Sequence, residues 1–288
     1  MKTLREILAD AESRKIAIGH FNISELGALK AVAEVAKELN VPVIIGTSEG
    51  ERDFVDPDGA VALVRELREK HNQQVFINAD HTKSLEKVKE AVAAGYDAIL
   101  FDGGKLLFEE NIAKTKEVVG YVRKNGKGIL VEGEIGDIGS GSAIRKEMPK
   151  GAAISPEQLT KPEDAARFVK ETGVDLLAPA VGNIHGMFAN APEPALDIQR
   201  VAAISKTTKV PLVLHGGSGN TDQDFLDAID AGVRIVHIST ELRAAWRKGM
   251  EATLKKNPDE VAPYKLMAGS IDEMKKVLYH KLKLFNKK

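Results

Sequence analysis

Eight short apolar runs, each followed by a stretch that reads as helix, recur along the 288 residues with no linker, repeat or low-complexity block between them. They are 16–21, 41–46, 75–79, 97–102, 128–134, 175–181, 210–215 and 233–239. Short continuously apolar runs belong to strands buried on both faces, as in a parallel sheet covered by helices. Eight strand–helix units is the count of a closed (β/α)₈ barrel, which needs about 250 residues. The sequence therefore predicts an α/β fold: a single TIM-barrel domain over 1–288 with a C-terminal helical extension.

Helical spacing is clearest at 24–39, 58–71, 83–94, 109–124, 162–172, 195–207 and 222–231. In the first, Leu26, Leu29, Val32, Val35 and Ala36 share a face, with Glu25, Lys30, Glu34 and Lys37 opposite. Gly95 and Gly232 stop helices before strands, and Pro156 and Pro162 suit first turns. Ile271, Met274, Leu278 and Leu282 predict a terminal helix that packs on the barrel or on a neighbouring subunit. The connection from Ile135 to Gly151 is Gly-rich, charged and longer than βα loops usually are, and reads as a mobile lid over the barrel mouth.

Composition narrows the partners. Lys+Arg 41 against Asp+Glu 42 leaves a formal charge of -1, too little for a field that gathers nucleic acid or an anionic membrane. No apolar stretch approaches the roughly 20 residues of a spanning helix, and the N-terminus lacks a secretory core, so a cytoplasmic protein acting on small molecules is expected. With no cysteine, a transition metal would have to be held by His and carboxylate.

Four of the runs end in or lead directly into such residues: Asp80-His81, Glu132 with Glu134, His185 and His215. Parallel barrel strands present their C-terminal ends on one face, so these side chains converge although the chain scatters them. His81, His185 and His215 with an open fourth position describe a catalytic zinc site. Asp80 and His81 also read as a helix cap with a polar neighbour, since Thr, Lys, Ser and Leu follow them. Asp102 follows the fourth run, and Glu132 and Glu134 share a strand face by their i, i+2 spacing; each acid reads either as a mouth carboxylate or as a buried ion-pair partner. Glu134, nearer the strand end, is the better second or alternative metal ligand. Gly216, Gly217 and Ser218 form a Gly-rich turn before a helix near Thr221, and His237, Ser239 and Thr240 precede another. Amides at helix starts after strands seven and eight suit a phosphate. His71 and His280 lie in polar helical stretches and read as surface residues.

The ordered segments Gly19-His-Phe-Asn22, Asn78-Ala-Asp-His81, Phe101-Asp-Gly103, Val131-Glu-Gly-Glu-Ile-Gly136, Gly182-Asn-Ile-His-Gly186, Leu214-His-Gly-Gly-Ser-Gly219 and Ile238-Ser-Thr-Glu-Leu-Arg243 closely resemble the class II, metal-dependent fructose-bisphosphate aldolases, in the branch that includes tagatose-bisphosphate aldolases. The resemblance implies that Asp80 is the acid/base acting on the C4 hydroxyl and that His81, His185 and His215 hold Zn2+, with Asp102 and Glu134 near a second divalent ion. It further implies that Gly186, Gly216, Ser218 and Thr240 surround dihydroxyacetone phosphate and a monovalent cation, Na+ or K+, in a homodimer or homotetramer. The reaction implied is reversible cleavage of fructose 1,6-bisphosphate, with tagatose 1,6-bisphosphate or another ketose phosphate as the alternative. Four positions depart from the family pattern: His20 stands for Ala, His237 for Asn, Ala189 for Lys or Ser, and Ser140-Gly-Ser142 for a Gly-Gly-x-Glu segment. The departures at Ser142, Ala189 and His237 favour a non-catalytic metal-binding homologue, which the intact Asp80 opposes. A hydrolytic metal barrel, expected to carry His-x-His after strand one, is opposed by His20-Phe-Asn22.

Overall fold

The computed structural model describes residues 1–139, 141, 143–146, 155–189 and 193–288. Eight parallel strands close into a barrel: β1 (Ile18–Asn22), β2 (Val43–Thr47), β3 (Val75–Thr82), β4 (Ala98–Phe101), β5 (Leu130–Ile135), β7 (Leu176–Pro179), β9 (Leu212–Leu214) and β10 (Val233–Ile238). Their order around the barrel follows the chain, and β10 closes on β1 through Ile18 to Ile235 and His20 to His237. Two further strands, β6 (Ile144–Arg145) and β8 (Met187–Phe188), pair with each other outside the barrel and tie the connection after β5 to the loop after β7. The helices are α1 (Leu4–Arg14), α2 (Leu26–Leu39), α3 (Glu49–Val55), α4 (Pro57–His71), α5 (Leu85–Ala94), α6 (Phe108–Asn125), α7 (Pro162–Thr172), α8 (Ile198–Thr208), α9 (Asp222–Ala231), α10 (Thr240–Lys256), α11 (Pro263–Leu266) and α12 (Ala268–Phe285). None is long and apolar enough to cross a membrane.

Strand alternation divides the core in two. Residues pointing outward, such as Val43, Ile45, Ile77, Ile99, Val131 and Val236, join the helices in one large cluster. Those pointing inward near the strand starts, Ile18, Ile44, Phe76, Ala98, Leu130, Leu176, Val213 and Ile235, form a second cluster with Leu4, Ile7, Leu8 and Ala11 of α1. Helix α1 thus plugs the N-terminal mouth, and a Thr3–Glu6 capping box starts it where the chain enters. Burying each Leu or Ile there contributes about 1.5–3 kcal/mol.

The C-terminal helix is part of the barrel wall. Met274, Leu278, Leu282 and Phe285 are buried in the main core, and α12 packs on α2, α9 and β1 while α10 lies over it. Backbone closes the contact: Ala17 N donates to Phe285 O at 3.0 Å. The outer side of β1 is therefore covered by the last helix of the chain. Of the anticipated lid, Ser140, Ser142 and 147–151 lie outside the described residues.

Candidate active site

Two residues further along the inward faces, the barrel interior changes from apolar to polar. His20 follows Ile18, Asn78 follows Phe76, Glu132 follows Leu130, His215 follows Val213 and His237 follows Ile235. One more step brings Asn22, Asp80 and Glu134 to the C-terminal mouth. Strand period alone decides this stacking.

Strand β3 departs from it. Its pairing with β4 shifts register between Ala79 and Thr82, and His81 adopts φ 45°, the left-handed region that a residue with a Cβ rarely enters. The irregularity lets the adjacent Asp80 and His81 both face the mouth, which a regular strand forbids. Arg52 of α3, itself 3 % exposed, holds the distorted turn. Its guanidinium donates to Thr47 O (2.5 Å), Asp80 O (3.1 Å) and Thr82 Oγ1 (3.1 Å).

The imidazoles of His81, His185 and His215 meet at centroid separations of 4.7, 5.1 and 5.8 Å. Each ring has a nitrogen available to a shared cation. His215 Nε2 is bonded to Glu132 Oε1 at 2.7 Å, leaving Nδ1 buried without a partner. His81 Nδ1 is bonded to Asp102 Oδ2 at 3.0 Å, leaving Nε2 toward the cluster. His185 Nε2 is likewise buried and unpartnered, as are Asp80 Oδ1 and Glu134 Oε2. Burying so many unpaired polar atoms is costly, and a cation bound between them removes the cost. The donor set therefore fits a metal, with carboxylates orienting two of the three rings as they do in histidine metal sites. His81, Asp102 and Glu134 form a second group, with Glu134 Oε2 3.9 Å from His81 Nδ1.

The electrostatics follow from burial and mutual charge. Burial opposes charge on His81, but Asp80, Asp102 and Glu134 outweigh it and raise its pKa to about 10. In His215 burial is likewise outweighed, here by the Glu132 bond, and the pKa is raised. Burial and the neighbouring His81 and His215 charges hold His185 well below its ordinary value. Burial together with the Asp102 charge pushes Glu134 up to about 8, a shift that a bound cation would reverse. For Asp80, burial is overcome by the charges of His81, His20 and His215 and by the Asn22 hydrogen bond, so its carboxyl lies well below the usual range.

Above the cluster opens a cavity of about 320 Å³. Of the residues expected from sequence, Asp80, His81, Asp102, His185, Gly186, Gly216, Ser218, His237, Ser239 and Thr240 line it. His215 and Glu134 are buried beneath, and Gly217 is packed behind the turn, where a Cβ would stand 2.9 Å from His237 O. Gly216 adopts φ 60°, and a Cβ there would come within 2.4 Å of Ile184 O, so only glycine lets the 216–218 turn approach the His185 loop. The helix start facing the cavity is that of α10, where Glu241 N donates to Ser218 Oγ at 3.3 Å. The start of α9, also expected at a phosphate, is occupied by its own Thr221–Asp224 capping box and carries Asp222. Ala189 is exposed at the end of β8, where its N donates to Arg145 O; Ser142 is outside the described residues. His71 is exposed, and His280 pairs with Asp222 at 2.8 Å.

Several contributors had no clear sequence signal. Asn22 Nδ2 donates to Asp80 Oδ2 and to Glu51 Oε2, both at 2.9 Å, so one amide bridges two carboxylates. Glu51 also accepts from Arg243 Nη2 at 2.5 Å, which joins the cavity rim to Asp80. Asn22 was visible only as part of a motif. Glu51 and Arg52 lie on α3, a seven-residue helix too short for a period to stand out. Glu132, ambiguous in sequence, is the partner of His215.

Known proteins repeat this architecture. The family described as fructose-bisphosphate aldolase class-II matches residues 2–288. The chain is 35% identical over 286 residues to a 6-phospho-5-dehydro-2-deoxy-D-gluconate aldolase of Bacillus licheniformis, covering 98% of this chain and 94% of that protein. It is 33% identical to a fructose-bisphosphate aldolase of Staphylococcus aureus, with 98% and 96% covered. The crystal structure of the YdjI aldolase from Escherichia coli K12 superimposes with a TM-score of 0.82 at 32% identity, over 98% of this chain and 96% of that one. The chain belongs to the class II fructose-bisphosphate aldolase family.

Proposed function

We propose that the protein is a zinc-dependent class II aldolase that reversibly cleaves fructose 1,6-bisphosphate to dihydroxyacetone phosphate and glyceraldehyde 3-phosphate. The observation that carries the reading is the His81, His185 and His215 cluster with the ionised, Asn22-anchored Asp80 beside it. His81, His185 and His215 would hold the zinc, which would supply Lewis acidity at the substrate. Asp80 accepts the C4 hydroxyl proton as the C3–C4 bond opens and C4 becomes the aldehyde carbon, and it returns that proton in condensation. Its depressed pKa keeps it ionised and so able to accept a proton, and Asn22 holds Oδ2 and leaves Oδ1 free. Gly216, Ser218, Ser239 and Thr240, with the α10 amides, take the phosphate of the ketone half, and Gly186 gives it room. Asp102 and Glu134 would serve a second divalent ion, and the phosphate turn a monovalent cation, Na+ or K+.

Tagatose 1,6-bisphosphate or another ketose phosphate is the competing substrate. His237 on the cavity wall, and a 35%-identical relative named for a phosphorylated deoxygluconate, favour keeping it. A coupled assay on both C4-epimeric bisphosphates, with and without metal, decides. The expected result is cleavage abolished by chelation and restored by zinc. Undiminished activity after exhaustive chelation would refute the metal reading, and failure on both substrates the bisphosphate reading.

A cytoplasmic homodimer or homotetramer is part of the same proposal. Phe54 is 78% exposed and Tyr264 74% exposed, and Phe54 shares an apolar groove with Trp246, Met250, Leu266 and Met267, a surface that suits a second subunit. Sedimentation equilibrium checks it: a monomer at micromolar concentration would reject the assembly.

A further inference from the structure

At the floor of the cavity two of the departures from the family pattern meet. His20 of β1 and His237 of β10 lie side by side in register, and their rings stack with centroids 3.4 Å apart and planes 6° from parallel. His20 is fully buried, whereas His237 lines the cavity. The His20 ring is held on two more sides. Asn78 Nδ2 lies 3.1 Å from its Nε2, and the ring covers Gly46 so closely that a Cβ there would come within 2.0 Å of it. The space His20 occupies thus exists because β2 carries glycine at that point.

His237 faces the reacting groups. Its Nδ1 is 3.7 Å from Asp80 Oδ1, its ring packs 3.8 Å from that of His215, and its Nε2 is buried without a partner. His20, Asp80 and His237 bring ligand atoms within 4.8 Å of one another, but the two rings cannot both aim a lone pair at one ion. Imidazole nitrogens bind along the ring plane, and two nearly parallel planes 3.4 Å apart share no in-plane point. What the stack does is hold orientation: rotation of an imidazole about its last torsion is broad, and a ring pressed flat on one face loses that freedom.

We propose that His20 is a positioning residue which sets the plane in which His237 meets the substrate hydroxyl beside Asp80, and that this two-ring unit decides which C4 epimer of a ketose bisphosphate is accepted. The proposal rests on the aldolase reading above. The two epimers differ only in configuration at the carbon whose hydroxyl proton Asp80 is to take. A flat donor–acceptor ring beside that carboxylate meets the substituents of C4 from one side, so a change in its tilt favours one configuration over the other.

The test uses the zinc-loaded protein and the variants His20→Ala, His20→Phe, His237→Asn and the double variant His20→Ala/His237→Asn. For each, kcat and KM are measured on both bisphosphates, with thermal midpoints and with solvent exchange of the C3 proton of dihydroxyacetone phosphate. Loss of the stack in His20→Ala is expected to change the epimer ratio of kcat/KM about 2- to 12-fold. His20→Phe, which keeps a flat ring, should hold the ratio within about twofold of the parent on the same stacking argument. His237→Asn should change it further, and adding His20→Ala to it should change nothing more, because a positioning residue has nothing left to position. Exchange on dihydroxyacetone phosphate should survive in His20→Ala, since that half-reaction involves no C4. An unchanged ratio in His20→Ala, effects that multiply in the double variant, or exchange lost in parallel with cleavage would each overturn the proposal. Parent protein that exchanges the proton yet cleaves neither bisphosphate refutes the substrate reading instead. The unit is then judged by the ratio of C4 diastereomers formed from dihydroxyacetone phosphate and short aldehydes, where an identical ratio in parent and His20→Ala overturns it.

Discussion

The two ends of the barrel interior are built from the same strands and have opposite chemistry. Near the strand starts, Ile18, Phe76, Leu130, Val213 and Ile235 pack against α1 with no polar atom among their side chains. One strand period later, the same strands place His20, Asn78, Glu132, His215 and His237 in the interior. The lower layer stabilises the protein, and the upper one spends part of that stability on buried, incompletely paired polar groups that a ligand can satisfy. A TIM barrel thus separates its stability from its chemistry by about two residues of strand.

Substitutions in the two layers should therefore fail in different ways. Asp80→Asn is expected to cost about 10²–10⁴ in kcat while thermal stability and bound metal are preserved, as measured by steady-state kinetics beside elemental analysis. Loss of metal in that variant would place Asp80 among the ligands instead. In the lower layer, Phe76→Ala should cost about 3–5 kcal/mol in urea denaturation and leave metal content intact. If Phe76→Ala emptied the metal site without unfolding the chain, the separation of layers would be wrong.

Glu132→Gln should weaken metal affinity about 10- to 100-fold, because the amide orients His215 without polarising it. Competition with a chelator of known affinity reads this directly, and parent-like affinity would reduce Glu132 to a packing residue. Proton linkage gives the last prediction. In the metal-free protein the folded pKa of His81 is raised to about 10, above its ordinary 6.5. Its stabilising contribution is then fully present below 6.5 and is lost as pH rises through 10. A metal must displace that proton, so affinity should rise by about tenfold per pH unit below the folded pKa. Urea midpoints of metal-free protein that climb between pH 7 and pH 10 would contradict the assignment of charge to His81.

Much of the architecture was legible because both of its periods are written locally. All eight barrel strands lie within a few residues of the apolar runs, and helices such as 162–172 and 222–231 coincide with their spacing. Helix α1 was hidden by its charges: Leu4, Ile7, Leu8 and Ala11 do form a stripe, but the stripe has meaning only once an open barrel end needs a plug. The role of α12 in the wall was equally out of reach, since either the barrel or another subunit would accept its apolar face. In the site, His81 and His215 stood out at the ends of apolar runs, and His185 in the glycine-flanked loop after β7. Glu132 did not, because an acid on an inward strand face is equally at home in a buried ion pair.

The strand and helix periods, and the chemistry carried near each strand end, are properties of residues a few positions apart and can be read locally. The tertiary structure alone decided the pairings. Glu132 reaches His215 across 83 positions, Asn22 reaches Asp80 across 58, and His20 lies on His237 only because the first and last strands close the barrel. Barrel closure and the bulge at Asp80–His81 set those distances, and neither is encoded in any single local period.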